Sequence, residues 1–204
     1  RSTGQQRTFM PSDCGFGYRT SRFKAEPGRW LVLEVAFQLR RSATSEPVRY
    51  AELARSLGVE VGDRAPLRDV RDAVLALRRG KGMVLDPADH DTWSVGSFFT
   101  NPVLDADAAA RLPEGAPRFA QPDGSVKTSA AWLLEHAGVR KGESHGGAAV
   151  SGKHTLALTN RGGASASDVV ALAAEVRDRV LAAYGVLLEP EPTLVGCALP
   201  LRTL

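Results

Sequence analysis

The hydrophobic and polar positions change period several times along the chain, and each period predicts an element. In residues 30–39, Leu31, Leu33, Val35, Phe37 and Leu39 share one face while Glu34 and Gln38, with Arg40 just beyond, share the other. A period of two predicts a half-buried β-strand. Residues 66–79 switch to a helical period: Pro66 suits a first turn, Leu67, Val70, Val74 and Leu77 form one apolar stripe, and Gly80 supplies a stop. The strongest helical pattern runs over 165–184, with Asp168 near its start, Val169, Leu172, Val176 and Val180 as its stripe, and Gly185 at its end. Between them, Ser129 can cap a short helix within 125–138 whose Trp132, Leu133 and Ala137 face inward, with Gly138 as its stop. Short strands are expected at 155–159 and 186–189. Residues 106–123, punctuated by Pro113, Pro117 and Pro122, read as a helix-poor connection. A strand, a helix and then a compact mixture of sheet and helix predict an α+β fold.

Composition narrows the class. The 204 residues suffice for one or two modest domains, and 43% hydrophobic with 24% charged residues is the balance of a soluble globular protein. No apolar run approaches the roughly 20 residues that span a bilayer, and the N-terminus lacks a signal pattern, so a cytoplasmic location without membrane association is expected. The net charge of +3 is small and dispersed, which argues against a nucleic-acid surface and for a small anionic ligand. Cys14 and Cys197 lie far apart without metal-ligand spacing, so neither a zinc site nor another metal site nor a disulfide is expected. The chain starts at Arg1, and its first dozen residues read like the middle of a protein, so an N-terminal portion is expected to be missing.

Chemistry concentrates in residues 91–103. Gly96 permits positive φ or close approach of a ligand, and Asn101-Pro102 forces a turn. Phe98 and Phe99 are consecutive, so in an extended segment one would anchor a core while the other walls a site. Ser97 is either a surface hydroxyl or a reactive one. A second loop, residues 14–24, interleaves glycines with Phe16, Tyr18 and Phe23 around Arg19. Residues 146–154 are glycine-rich, but His154 follows Lys153 where a P-loop needs Ser or Thr.

Gly96-Ser97-Phe98-Phe99-Thr100-Asn101-Pro102 resembles the signature of the UDP-N-acetylenolpyruvoylglucosamine reductases, flavoenzymes of peptidoglycan precursor synthesis. Tyr18-Arg19-Thr20-Ser21-Arg22-Phe23-Lys24 is similar to that family's Tyr-Arg-x-Ser-x-Phe-Lys motif, residues 123–135 match a further segment, and Leu188-Glu189-Pro190-Glu191 matches its Leu-Glu-Pro-Glu. The blocks are collinear from about Cys14 to Gly196. The resemblance implies the C-terminal portion of an FAD-binding domain in 1–85, a substrate-binding domain in 86–188 and a segment, 189–204, returning to the flavin domain and the active site. The family's glycine-rich flavin segments lie upstream of the Tyr-Arg motif, so most flavin contacts are expected outside this chain.

The implied activity has two halves. NADPH reduces FAD, and the reduced flavin reduces the enolpyruvyl ether of UDP-N-acetylglucosamine enolpyruvate to UDP-N-acetylmuramate. By position, Ser97 is the proton donor, and Arg19 and Glu191 are the catalytic partners that stabilise charge on the substrate carboxylate. Tyr50 is the lid residue over the nucleotide, Lys81 the diphosphate contact, and Tyr18, Asn101 and His154 further substrate contacts. Arg78 is the one candidate flavin contact in the chain. Simpler readings stand beside these. Arg78 and Arg79 complement the dipole at a helix end, His154 is a satisfied structural histidine, and Tyr50 packs. A hydrolase using Ser97 with His154 or His145 lacks the Gly-x-Ser-x-Gly elbow. A non-catalytic nucleotide-sugar-binding module, monomeric, is the alternative for the isolated chain.

Overall fold

Local caps and stops decide where the helices form. The computed structural model describes residues 3–200, so the ends of the expected 1–85 and 189–204 segments lie outside the described residues. The chain divides into two compact units, Arg1–Ser42 and Ala43–Leu204.

In the first unit, a turn of 3-10 helix (Pro11–Cys14) precedes α1 (Arg22–Ala25), where the Ser21 hydroxyl accepts a hydrogen bond from the Lys24 amide at 3.4 Å. Phe9, Phe23 and Trp30 pack edge to face, with centroids 5.0 to 6.4 Å apart. Gly17 and Thr20 exchange backbone hydrogen bonds across a tight turn, and Arg19 at its third position has φ +56°. The strand expected over 30–39 is not formed: Leu31, Leu33, Val35, Phe37 and Leu39 all stand exposed. Alternation makes an amphipathic extended segment, but a strand also needs a hydrogen-bonding neighbour. Among the described residues of this unit, nothing pairs with it.

The second unit runs through α2 (Ala51–Leu57), α3 (Leu67–Gly80), β1 (Ser94–Ser97), β2 (Val103–Leu104), α4 (Ala106–Ala110), β3 (Phe119–Ala120), β4 (Val126–Lys127), α5 (Ala130–His136), β5 (Ser144–His145), β6 (Ala148–Val150), β7 (Ala157–Asn160) and α6 (Ala166–Tyr184). All strand pairs are antiparallel, in a four-stranded sheet ordered β1-β7-β6-β5 and a three-stranded sheet ordered β2-β4-β3. This is the α+β architecture expected.

α6 begins at a capping box. The Ser165 hydroxyl accepts from the Asp168 amide, the Asp168 carboxylate accepts from the Ser165 amide, and Gly185 ends the helix at φ +66°. Leu172, Val176 and Val180 of α6, Leu133 of α5 and Val150 of β6 are fully buried in one core. The apolar stripe expected on α3 is covered in part: Val70, Val74 and Leu77 are half-buried against α2, and Leu67 is 46% exposed. The expected helix-poor connection does hold a helix, α4. Its signal was Asp105, whose Oδ1 accepts from the Ala108 amide at 2.7 Å ahead of an alanine-rich turn.

Residues 186–189 form no strand either. They lead alongside 98–100, where the Thr100 amide donates to the Glu189 carbonyl at 3.0 Å and the Glu191 amide to the Phe98 carbonyl at 2.8 Å. The pairing stops at the single bridge Phe99↔Pro190, since proline has no N–H to extend a ladder. Phe98 and Phe99 also depart from expectation. Both are buried in the same core, with ring centroids 5.1 Å apart, so neither walls a site. Strand geometry ends at Ser97, and beyond it core lies on both sides of the chain.

Candidate active site

Ser97 is aimed by a bulge. β1 pairs with β7 through Ser94↔Thr159 and Ser97↔Ala157, three steps on one strand against two on the other. Gly96, at φ +84°, absorbs the extra residue. Nothing lies within 4 Å of where a Gly96 side chain would begin, so the backbone angle, not crowding, is the demand for glycine here.

The Ser97 hydroxyl then meets His154, with Oγ 3.2 Å from Nε2, and either atom can donate according to the tautomer. His154 sits on the loop between β6 and β7, and that loop is tightly fixed. The fully buried Ser151 hydroxyl accepts from the Lys153 amide at 3.0 Å and the His154 amide at 3.3 Å. The Ala157 amide closes the turn onto the His154 carbonyl at 2.9 Å. Thr155 donates to Glu135 of α5 at 2.6 Å. From the other side, Asp91 Oδ1 accepts from the Gly152 amide at 3.0 Å and from Arg161 at 2.8 Å, while Lys153 pairs with Asp89. A Cβ at 152 would lie 2.9 Å from Asp91 Oδ2, so a larger residue there would displace the Asp91 carboxylate. A cavity of 280 Å³ adjoins this clamp, lined by Arg79, Val84, Asp86, Asp89 and Lys153 among others.

Burial and nearby charge both disfavour the protonated imidazole. Burial holds the His154 pKa below its ordinary value, the positive charges of Lys81 and Lys141 lower it further, and Glu135 alone opposes them. Lys81 caps α3 and pairs with Glu52 of α2 at 2.6 Å. Asp89 is itself held below the usual carboxylate range, first by its hydrogen bond from Lys153 and then by the Asp91 amide.

Glu191 reaches the same neighbourhood through its backbone, since its amide is bonded to the residue after Ser97. Asn101 serves the fold: its side-chain oxygen accepts from the Ala130 amide at 2.9 Å and ties the turn after Ser97 to the start of α5. Tyr50, 76% exposed, occupies the N-cap of α2, one turn from the Glu52–Lys81 pair. Arg78 is exposed in the last turn of α3. Tyr18 and Arg19 belong to the first unit, where the Arg19 guanidinium stands 6.0 Å from the centre of the Tyr18 ring. Thus Ser97, His154, Lys81 and the Glu191 backbone are gathered within the second unit.

Residues 86–195 match the family model described as UDP-N-acetylenolpyruvoylglucosamine reductase, C-terminal domain. The chain belongs to this reductase family. It is 59% identical over 197 residues to the UDP-N-acetylenolpyruvoylglucosamine reductase of Cutibacterium acnes, covering 95% of this chain and 52% of that protein. Over 209 residues it is 54% identical to the reductase of Thermobifida fusca, covering 98% of this chain and 58% of that protein. The crystal structure of the reductase (MurB) from Thermus caldophilus aligns with 90% of this chain and 46% of that chain, at 23% identity and a TM-score of 0.41. The chain spans about half the length of the curated relatives it matches.

Several groups around Ser97 escaped the sequence reading. Asp91, Ser151, Glu135 and Lys141 act on His154 from 3 to 63 positions away, and no periodicity or motif links them to it. Only Gly152, inside an otherwise featureless glycine run, hinted that another side chain approaches the loop.

Proposed function

We propose that this chain carries the substrate and protonation side of an NADPH-dependent, FAD-containing reductase that converts the enolpyruvyl ether of UDP-N-acetylglucosamine enolpyruvate to UDP-N-acetylmuramate for peptidoglycan synthesis. The observation that carries the reading is the Ser97 hydroxyl, set by the Gly96 bulge and hydrogen-bonded to His154. When bound, the flavin supplies hydride to the alkene. The remaining work falls to side chains. Ser97 gives its proton to the carbon beside the carboxylate; an alcohol is a weak acid, but a carbanion there is a stronger base than an alkoxide. Arg19 provides a permanent charge with fork geometry for that carboxylate, and Glu191, in its protonated form, donates a hydrogen bond to the same group. Lys81 meets the diphosphate, with Tyr50, Tyr18, Asn101 and His154 as further substrate contacts.

Arg78 is the one candidate side chain for the cofactor in this chain. The remaining flavin contacts are assigned to the part of the family's sequence that this chain does not match. Among the described residues no helix is long and apolar enough to cross a membrane, and we place the reaction in the cytoplasm with its NADPH.

A second reading stands for the chain by itself, which spans about half the length of its curated relatives: a nucleotide-sugar-binding module without turnover. Two measurements separate them. Purified protein that is yellow, is bleached by NADPH and regains colour on addition of the enolpyruvyl nucleotide sugar supports the reductase. Colourless protein that binds UDP-N-acetylglucosamine supports the module, and absence of both properties overturns both.

A further inference from the structure

The pair formed by Ser97 and His154 has surroundings that its proposed role as a substrate contact does not use. Lys81, at the end of α3 and paired with Glu52, and Lys141, in the loop after α5, disfavour the charged imidazole, while Glu135 of α5 favours it. Ser97 meets it from β1 at 3.2 Å. Asp91 and Ser151 fix the backbone that carries it, through Gly152, Lys153 and the His154 amide. The hydroxyl is bonded to an imidazole whose protonation two lysines disfavour, so anion binding and proton binding are coupled there. An anion that neutralises the lysines removes part of what keeps the ring unprotonated.

We propose that His154 is the proton reservoir of Ser97, loaded when a phosphate-bearing ligand lies against Lys81 and Lys141. This rests on the reading of a nucleotide-sugar site given above. The step balances in protons and involves no electron transfer through either residue. Solvent adds one proton to the neutral imidazole. The Ser97 O–H bond breaks as its proton forms the new C–H bond on the substrate, and the His154 Nε2–H bond breaks as a fresh O–H forms on Ser97. The ring returns to neutral, and one solvent proton has reached the substrate. No alkoxide is left in a half-buried site, where an unpaired charge is costly. Asp91 is a positioning residue, because it holds Gly152 and hence the reach of the ring.

The test uses the full chain and UDP-N-acetylglucosamine, whose diphosphate diester does not titrate near neutrality. Calorimetric titration near pH 7 in buffers of different ionisation enthalpy reads the protons taken up on binding. Wild type should take up a substantial fraction of one proton per ligand bound, and His154→Gln none. In wild type, the NMR titration midpoint of the His154 ring should move up by about one pH unit or more when the nucleotide sugar is present. That second measurement needs no variant and stands even where His154→Gln fails to fold. Binding without proton uptake, uptake that persists in His154→Gln, or an unmoved midpoint overturns the reservoir while leaving the nucleotide site intact. Absence of binding overturns the nucleotide site, and the reservoir with it.

Discussion

Replacing Gly96 by alanine sets backbone strain against the geometry that aims Ser97. At φ +84° an L-residue occupies the left-handed side of the map, which costs on the order of 1–2 kcal/mol. No atom lies within 4 Å of the added carbon, so no steric clash adds to this. The chain can escape the strain only by losing the bulge. Slipping the register turns Ser97 away from His154 and breaks the bonds from the Phe98 amide to Leu156 and from the Glu191 amide to Phe98, at 2.7 and 2.8 Å. Those bonds contribute about 0.5–1.5 kcal/mol each. Exposing one of the two buried phenylalanines costs about 1.5–3 kcal/mol more. Keeping the bulge is cheaper, so Gly96→Ala should retain the Ser97–His154 contact and lose about 1–2 kcal/mol of stability. Gly96→Asn, which tolerates this conformation better, should lose less. Urea unfolding followed by circular dichroism, which reports mainly the helices of the second unit, gives the magnitude, and the His154 ring resonance reports the contact. Equal stability for alanine, asparagine and glycine would refute the strain argument. A lost His154 contact at small cost would refute the comparison of energies.

Asn101→Ala removes the acceptor of the Ala130 amide and should cost about 1 kcal/mol by urea unfolding, whatever it does to ligand affinity. Leu133→Ala, at a position with no exposure, should cost about 2–5 kcal/mol in the same assay, by cavity formation. Stability should also fall in acid in two stages. Because the folded His154 resists protonation, the unfolded chain binds more protons as pH drops through its ordinary value of 6.5, and stability declines there. Asp89, Asp168 and Glu143 have folded pKa values below the ordinary carboxylate range, so their contribution is present above it and is lost as pH falls through those values. Melting temperature against pH checks both stages, and a flat profile between pH 7 and 5 would contradict the first.

What was legible in the residues was what local chemistry decides. α5 and α6 announce themselves through a cap, a stripe and a stop within one segment, and α3 through its stripe. Strand pairing is not local, so residues 30–39 and 186–189 could show their alternation but not whether a neighbour exists to bond them. In the main sheet the strands run two to four residues, too short for any period to emerge. The site was legible only in part. Gly96, Ser97 and Glu191 could be singled out by motif. The meeting of Ser97 with His154, 57 positions later, needed the bulge on β1 and the clamp of Asp91 on Gly152.

The most direct test of the account is Ser97→Ala in flavin-loaded protein, with the two half-reactions followed separately by rapid mixing. Bleaching of the flavin by NADPH should proceed at the wild-type rate. Its reoxidation by the enolpyruvyl nucleotide sugar should slow by roughly 10²–10⁴-fold. Reoxidation at the wild-type rate would contradict the role given to the Ser97 hydroxyl.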